Sequence, residues 1–386
     1  MTLVTHLDTK LDLHRLETTL ESLMVENPIL KARMEHKGDW LEWVYDPVVT
    51  ASKIIKVHHN VDESEFCFGK MNPHKAPLWE INVSRKGEED VLALSMAHAL
   101  GDGKALMALF GMIAERYNVP NHVIQNPPSS LPSRDTTMLF LDDDEIRRRA
   151  CAATAPHSPW PSLYEHSVMK GGHLAIKTMD PLLFSESRRH WKREAGATVN
   201  DILMAAMALA LRDMTGKSRN TIISGTVDNR QFIKRDVPTI ANLSSNFAIN
   251  LGDISGMGMA ETIAIVHRSI EELRKEDRLG KDDLATYANI HSVEEMDRLV
   301  SEMYESSESG TALYFLSNVG ELSWTNLGRL TPKTAYVAYP GIRPPTLGVV
   351  SSSYLGVLYL TMGHYDGLPA ARADELLSRM IDHLRV

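Results

Sequence analysis

Between Val91 and Tyr117 the chain reads VLALSMAHALGDGKALMALFGMIAERY, and this stretch dictates a strand, a sharp turn and a helix in that order. Val91 to Ala97 is a nearly unbroken apolar run that follows the charged Glu88-Glu89-Asp90, which is how a strand covered on both faces reads. From Lys104 onward, Leu106, Leu109, Phe110, Ile113 and Tyr117 recur at helical spacing, one apolar stripe over about three turns. A buried strand that runs into an amphipathic helix commits the surrounding chain to a mixed sheet with helices packed on it. Between the two lies His98-Ala99-Leu100-Gly101-Asp102-Gly103. A polar turn held between rigid elements is where chemistry is usually placed.

Taken singly, each residue of that turn has an ordinary use. Asp102 is a natural N-cap for the helix that starts near Gly103. Gly101 and Gly103 mark a tight turn, and a lone histidine such as His98 is more often a core side chain than a base. Together, His98-x-x-x-Asp102-Gly103 in a strand–turn–helix setting is a specific pattern. It resembles the active-site motif of the acyltransferase superfamily with the chloramphenicol acetyltransferase fold. That superfamily includes plant BAHD acyltransferases, condensation domains of nonribosomal peptide synthetases, polyketide-associated acyltransferases and alcohol acetyltransferases.

Size and charge bound the possibilities. A chain of 386 residues, 43 % apolar and 24 % charged, has the composition of an ordinary folded protein and the length for two domains. A net charge of −9 speaks against a nucleic-acid partner and against an anionic membrane surface, because both want a basic face. A local basic pocket for a phosphorylated co-substrate stays open. The longest apolar run, Ile202 to Leu211, is ten residues, too short to cross a bilayer. The opening MTLVTHLDTKLD carries polar and charged groups throughout and predicts no secretory signal. Cys67 and Cys151 stand far apart with no metal pattern around them, so free thiols in a reducing cytoplasm are expected.

Along the chain, apolar spacing predicts a helix over 11–24 and strands over 29–35, 40–45, 54–58 and 79–85. Residues 118–133 predict a long loop rich in Pro, Asn and Ser. Asp142 to Glu145 followed by Arg147-Arg148-Arg149 complements a helix dipole and predicts a solvated helix. Three prolines over 155–161 suggest the domain boundary, giving lobes 1–160 and 161–386. The second half opens with a strand over 173–179. Asp180-Pro181 starts a helix that Gly196 ends, and Thr198-x-x-Asp201 predicts a capping box on an all-round apolar, buried helix ended by Gly216. A strand over 221–227 ends in Asp228-Asn229-Arg230, and 242–250 is a polar segment with apolar punctuation. Helices over 260–276 and 292–305, strands over 311–319, 334–339, 347–352 and 354–363, and a closing helix over 370–384 complete the chain.

Several of these stretches extend the resemblance: TVNDILMAAMALAL, VDNR, LSNVG and SSYLGVLYLTMGHYDG look like the later elements of the superfamily. The likeness implies an α/β fold, an α+β two-layer sandwich, with two chloramphenicol acetyltransferase-like lobes stacked as a pseudo-dimer around a tunnel. It also implies His98 as general base, acting without an acyl-enzyme, and Asp102 turned from the substrate to form a structural ion pair with Arg230. Gly103 would let the backbone pass close to the tunnel. Ser317 and Asn318 are the oxyanion candidates, with an ordinary strand-end turn as the other account of them, and Asn246 and Tyr354 are further substrate-binding candidates. The implied donor is acyl-CoA or an acyl carrier protein's phosphopantetheine arm. The acceptor is a hydroxyl or amine of a small molecule, in secondary metabolism. A cytoplasmic monomer with no tightly bound cofactor and no metal is expected.

The sequence departs from the superfamily in places. Ala97 stands where condensation domains carry a second histidine, and no Asp-Phe-Gly-Trp-Gly motif occurs. These departures favour a stand-alone bacterial-type O- or N-acyltransferase. An amide-forming condensation-type protein and a non-catalytic docking member of the fold are the alternatives. Other chemistries lack their motifs: there is no Gly-x-Ser-x-Gly elbow and no phosphate-cradling loop, and His58-His59 lacks metal-ligand spacing. His364-Tyr365-Asp366-Gly367 echoes the main motif two residues short and predicts a strand end and turn.

Overall fold

A computed structural model of the chain describes residues 1–69, 71–119, 134, 137–140, 142–153, 160–166, 168–219, 221–233, 237–305, 310–323 and 326–386. Its strands, in chain order, are β1 (Thr2–Leu7), β2 (Ala32–Lys37), β3 (Trp40–Tyr45), β4 (Ile55–His59), β5 (Trp79–Lys86), β6 (Glu89–Met96), β7 (Trp160–Pro161), β8 (Gly172–Met179), β9 (Ile222–Asp228), β10 (Ser244–Asn250), β11 (Thr311–Ala312), β12 (Tyr314–Glu321), β13 (Pro332–Ala338), β14 (Leu347–Tyr354) and β15 (Val357–Tyr365). The α-helices are α1 (Leu13–Glu26), α2 (Ala51–Ile54), α3 (Glu63–Cys67), α4 (Gly103–Asn118), α5 (Asp143–Ala153), α6 (Pro181–Ala195), α7 (Val199–Thr215), α8 (Met259–Lys275), α9 (Lys281–Ala288), α10 (Val293–Glu305) and α11 (Ala370–Leu384).

Two compact units form. Unit one draws on Met1–Asp135, Ile233–Leu243 and Leu322–Ala338; unit two draws on Thr136–Phe232, Ser244–Glu321 and Tyr339–Val386. Neither is one contiguous stretch such as 1–160 or 161–386, because β13 pairs antiparallel with β1 and so belongs to the first sheet. The proline-rich boundary over 155–161 lies, apart from Trp160 and Pro161, outside the described residues, as does most of the loop over 118–133.

Unit one is built on a five-stranded sheet in the order β13-β1-β6-β5-β4. Within it only β4 and β5 pair in parallel; the β13–β1, β1–β6 and β6–β5 pairs are antiparallel. The central strand β6 is buried on both faces from Asp90 to Met96, as its apolar run requires. The apolar stripe of α4 (Leu106, Leu109, Phe110, Ile113 and Tyr117) is buried, and so are Leu16, Leu20 and Leu23 on α1. One expectation needs correction. Residues 28–31 form a 3-10 turn rather than the start of a strand, because Pro28 has no amide to give a ladder and Leu30 closes the turn on the Asn27 carbonyl at 2.9 Å. The opening residues, given no element by the apolar spacing, form a strand, β1, buried at Leu3, Val4 and Thr5 between β6 and β13.

Unit two carries a six-stranded mixed sheet in the order β10-β9-β12-β14-β15-β8. Helix α7 is its core: every residue from Asp201 to Leu211 is buried, against Leu316, Val349 and Leu360 of the sheet and Leu376, Leu377 and Met380 of α11. The expected polar segment 242–250 is in fact an edge strand over 244–250, with Ser245, Phe247 and Ile249 alternating inward. Helix α5 is only partly the solvated helix that its charges suggest. Arg149 bonds Glu145 at 2.8 Å and reaches Asp277 and Asp282, whereas Arg147 is exposed. Both cysteines are free thiols. Among the described residues no single helix is long and apolar enough to cross a membrane.

Candidate active site

The His98 turn is locked on both sides. Strand β6 ends at Met96, and the Ala97 amide donates to the Leu78 carbonyl at 2.9 Å. The amides of Leu100 and Gly101 then close back on the Ala97 carbonyl at 2.9 and 3.3 Å. This tight turn presents His98 directly beyond the central strand. Gly101 leaves no room for a side chain: a Cβ there would lie 2.6 Å from the Ala105 Cβ and 2.7 Å from the Met96 Sδ.

Asp102 is 4 % exposed and N-caps α4, as its place in the sequence predicts; its Oδ1 accepts the Ala105 amide at 3.0 Å. Its other oxygen does something that no local pattern announces. Oδ2 accepts the amide of Leu243 at 2.7 Å, and the Asp102 amide donates to the Ala241 carbonyl at 3.4 Å. A strap over 240–243 is thereby joined to the turn from across the sequence. Gly103 is the first residue of α4.

His98 itself is half-buried. Burial dominates its electrostatics and lowers its pKa, while contact with its own backbone and the Asp102 charge pull less strongly upward. The imidazole is therefore neutral near pH 7 and able to accept a proton.

The sequence offers no signal for Arg134, which lies beside the turn. Its guanidinium donates to the Leu100 carbonyl at 3.2 Å and to the Ile240 carbonyl, and stacks 4.8 Å above the Trp43 ring. Only the close pairing of segments distant in sequence makes it visible.

The remaining candidates lie in unit two. Asn246 on β10 stands beside Thr226 on β9, whose hydroxyl donates to the Ser317 Oγ at 3.1 Å, so Asn246, Thr226 and Ser317 share one row. The Asn246 side chain bonds Asp283 at 3.3 Å, so it is already engaged. Asn318, next along the strand, turns to the opposite face, where its Oδ1 accepts the Ser351 hydroxyl at 2.9 Å and the Gly320 amide at 3.1 Å. Tyr354 is 4 % exposed at the end of β14, and burial raises its pKa. Arg230 follows β9, and its guanidinium donates to Asp228 at 3.0 Å. His364 ends up at the close of β15 with a turn after it, as its motif predicts. Among the described residues no group of three or more His, Cys, Asp or Glu side chains is placed to hold a metal ion.

Comparison with family models and with curated protein sequences gives no match. Solved structures do match, over essentially the whole chain. Polyketide synthase associated protein 5 from Mycobacterium tuberculosis is 14 % identical with a TM-score of 0.70, covering 99 % of this chain and 93 % of that one. The first condensation domain of the CDA synthetase is 14 % identical with a TM-score of 0.70, covering 99 % and 90 %. The trichothecene 15-O-acetyltransferase from Fusarium sporotrichioides is 12 % identical with a TM-score of 0.74, covering 100 % and 91 %. At such identities the likeness carries the architecture alone, and that architecture is the chloramphenicol acetyltransferase-like fold of condensation domains and acyltransferases.

Proposed function

We propose that this chain is an acyltransferase that moves an acyl group from a thioester to a hydroxyl or amine of a small molecule, with His98 as general base. The carrying observation is a histidine that burial keeps neutral, presented beyond a central buried strand on a turn that Asp102 holds in place. As the acceptor oxygen or nitrogen attacks the thioester carbonyl, the imidazole takes its proton and a tetrahedral intermediate forms. The C–S bond then breaks, and the imidazolium returns the proton to the departing thiolate. A thiol leaves readily, so one positioned base suffices and no acyl-enzyme is needed. The donor is acyl-CoA or an acyl group on a carrier protein, acting as co-substrate. That solved structures of this fold include an O-acetyltransferase and a condensation domain suits the reading.

The test is release of free thiol from a panel of acyl-CoAs and acyl-phosphopantetheine carriers on addition of alcohols or amines. His98→Ala is expected to lower turnover by roughly a hundred- to ten-thousandfold, the usual worth of a general base, with an unchanged circular dichroism spectrum. Near-normal turnover in that variant would overturn the assignment.

A further inference from the structure

Arg134 is a half-buried cation with no carboxylate within ion-pairing distance among the described residues. Burial alone pulls its pKa down to about 10. Its charge is thus held at a cost that no counter-charge among the described residues offsets. What it touches gives that cost a purpose. One arm of the guanidinium donates to the carbonyl of Leu100, inside the His98 turn, and another donates to the carbonyl of Ile240, at the head of the strap. The face of the fork rests on Trp43 at 4.8 Å, which fixes its plane.

These are the same two segments that Asp102 joins. Asp102 gives its amide to Ala241 and takes the Leu243 amide on Oδ2. Turn and strap are therefore gripped twice, by an anion that accepts amide hydrogens and by a cation that gives hydrogens to carbonyls. A rigid guanidinium fork suits two separate carbonyls, whereas an ammonium satisfies them one at a time. The Leu100 backbone also closes the turn on Ala97 at 2.9 Å. Whatever holds the Leu100 carbonyl therefore sets the direction in which the imidazole two residues earlier is aimed.

We propose that Arg134 is a positioning residue: by clasping the Leu100 and Ile240 carbonyls it fixes the His98 turn, and with it the depth and ionisation of the imidazole. This deepens the reading of His98 as a base, and its catalytic arm rests on that reading.

The experiment compares wild type with Arg134→Gln, Arg134→Lys and Trp43→Leu, the last of which removes the supporting ring and leaves the donors. One readout is the NMR titration of the His98 Cε1–H signal, assigned by its loss in His98→Ala. The other is thioester turnover against pH. A loosened turn admits water to the ring, so the His98 pKa is expected to rise toward the ordinary histidine value in both Arg134 variants, and by less in Trp43→Leu. Turnover is expected to show kcat lowered roughly ten- to a hundredfold, KM within about twofold, and an acid limb that follows the titration. An unchanged His98 titration in the Arg134 variants overturns the proposal. Full recovery of both readouts by Arg134→Lys also overturns it, because charge would then suffice without the fork. Should Arg134→Gln fail to fold, Arg134→Lys and Trp43→Leu decide by the same criteria. If wild type turns over no thioester, the acyltransferase reading falls while the titration still decides the clasp.

Discussion

Both carboxylate oxygens of Asp102 accept backbone amides, at 3.0 Å from Ala105 and 2.7 Å from Leu243. An asparagine has one acceptor oxygen, so Asp102→Asn must set its NH2 group against one of those amides and leave a buried donor unsatisfied. We expect this variant to lose about 1–3 kcal/mol of stability, read by urea unfolding, before any effect on turnover is considered. Full stability would mean that the carboxylate does not anchor the turn. Half of this residue's role is legible in the sequence, since an aspartate before an amphipathic run followed by a glycine reads as an N-cap. The other half is not, because its partner Leu243 lies 141 positions away and carries no motif. Arg134 is hidden for the same reason: a guanidinium that binds carbonyls leaves no trace in side-chain chemistry, as any residue can supply the carbonyl. His98, Asp102 and Gly103 stand out in the sequence because they lie within one six-residue stretch.

Elements with caps are the most legible. For α6, Asp180 accepts the Leu182 amide at 2.9 Å and Gly196 ends the helix at φ 65°. For α7, Thr198 and Asp201 complete a capping box. Local chemistry decides these ends, so the sequence contains them. Helix α9 has eight residues with only Leu284 and Ala285 buried, too little apolar content for a period to show. What stabilises it is its packing beside the edge strand β10: Asp283 accepts the outward-facing Asn246 amide at 2.8 Å, covering an otherwise open sheet edge. Burial pushes the Asp283 carboxyl up to about 6. A carboxyl raised in this way contributes stability below its ordinary value near 4, and that contribution is lost as pH rises toward 6. Asp283→Asn keeps an acceptor for the Asn246 amide and removes the charge. It is expected to raise stability at pH 7 by up to about 2 kcal/mol and to remove the part of the pH dependence that Asp283 supplies, so that the variant gains on wild type as pH rises from 4 to 6, as measured by denaturant unfolding across that range. A loss of stability at pH 7 would show that the charged form is the better partner for the edge.

Across the whole molecule, Asp283 is opposed by groups whose charged states respond the other way. His98 in unit one and His364 in unit two both have pKa values lowered by burial; His364 is 2 % exposed, and its Nδ1 has no hydrogen-bond partner among the described residues. For a base held below its ordinary value, the unfolded chain takes up protons first. Stability from these histidines is therefore full above about pH 6.5 and is lost as pH falls below it. Glu63 extends the loss further into acid, since its bonds to His6 at 3.0 Å and Lys86 at 2.7 Å bring its carboxyl down to about 2. Between pH 4 and 6.5 the histidines thus withdraw stability while Asp283 returns some, so the wild-type curve there is a difference of two slopes. His364→Gln removes one of them. Its Tm relative to wild type is expected to improve steadily as pH is lowered from 7.5 to 5, whatever the offset at pH 7.5 from the altered packing. In Asp283→Asn the net acid loss is expected to steepen instead. A Tm difference between His364→Gln and wild type that stays constant with pH would mean that the ring takes up its proton equally in the folded and unfolded states, and burial would then not be what governs its charge.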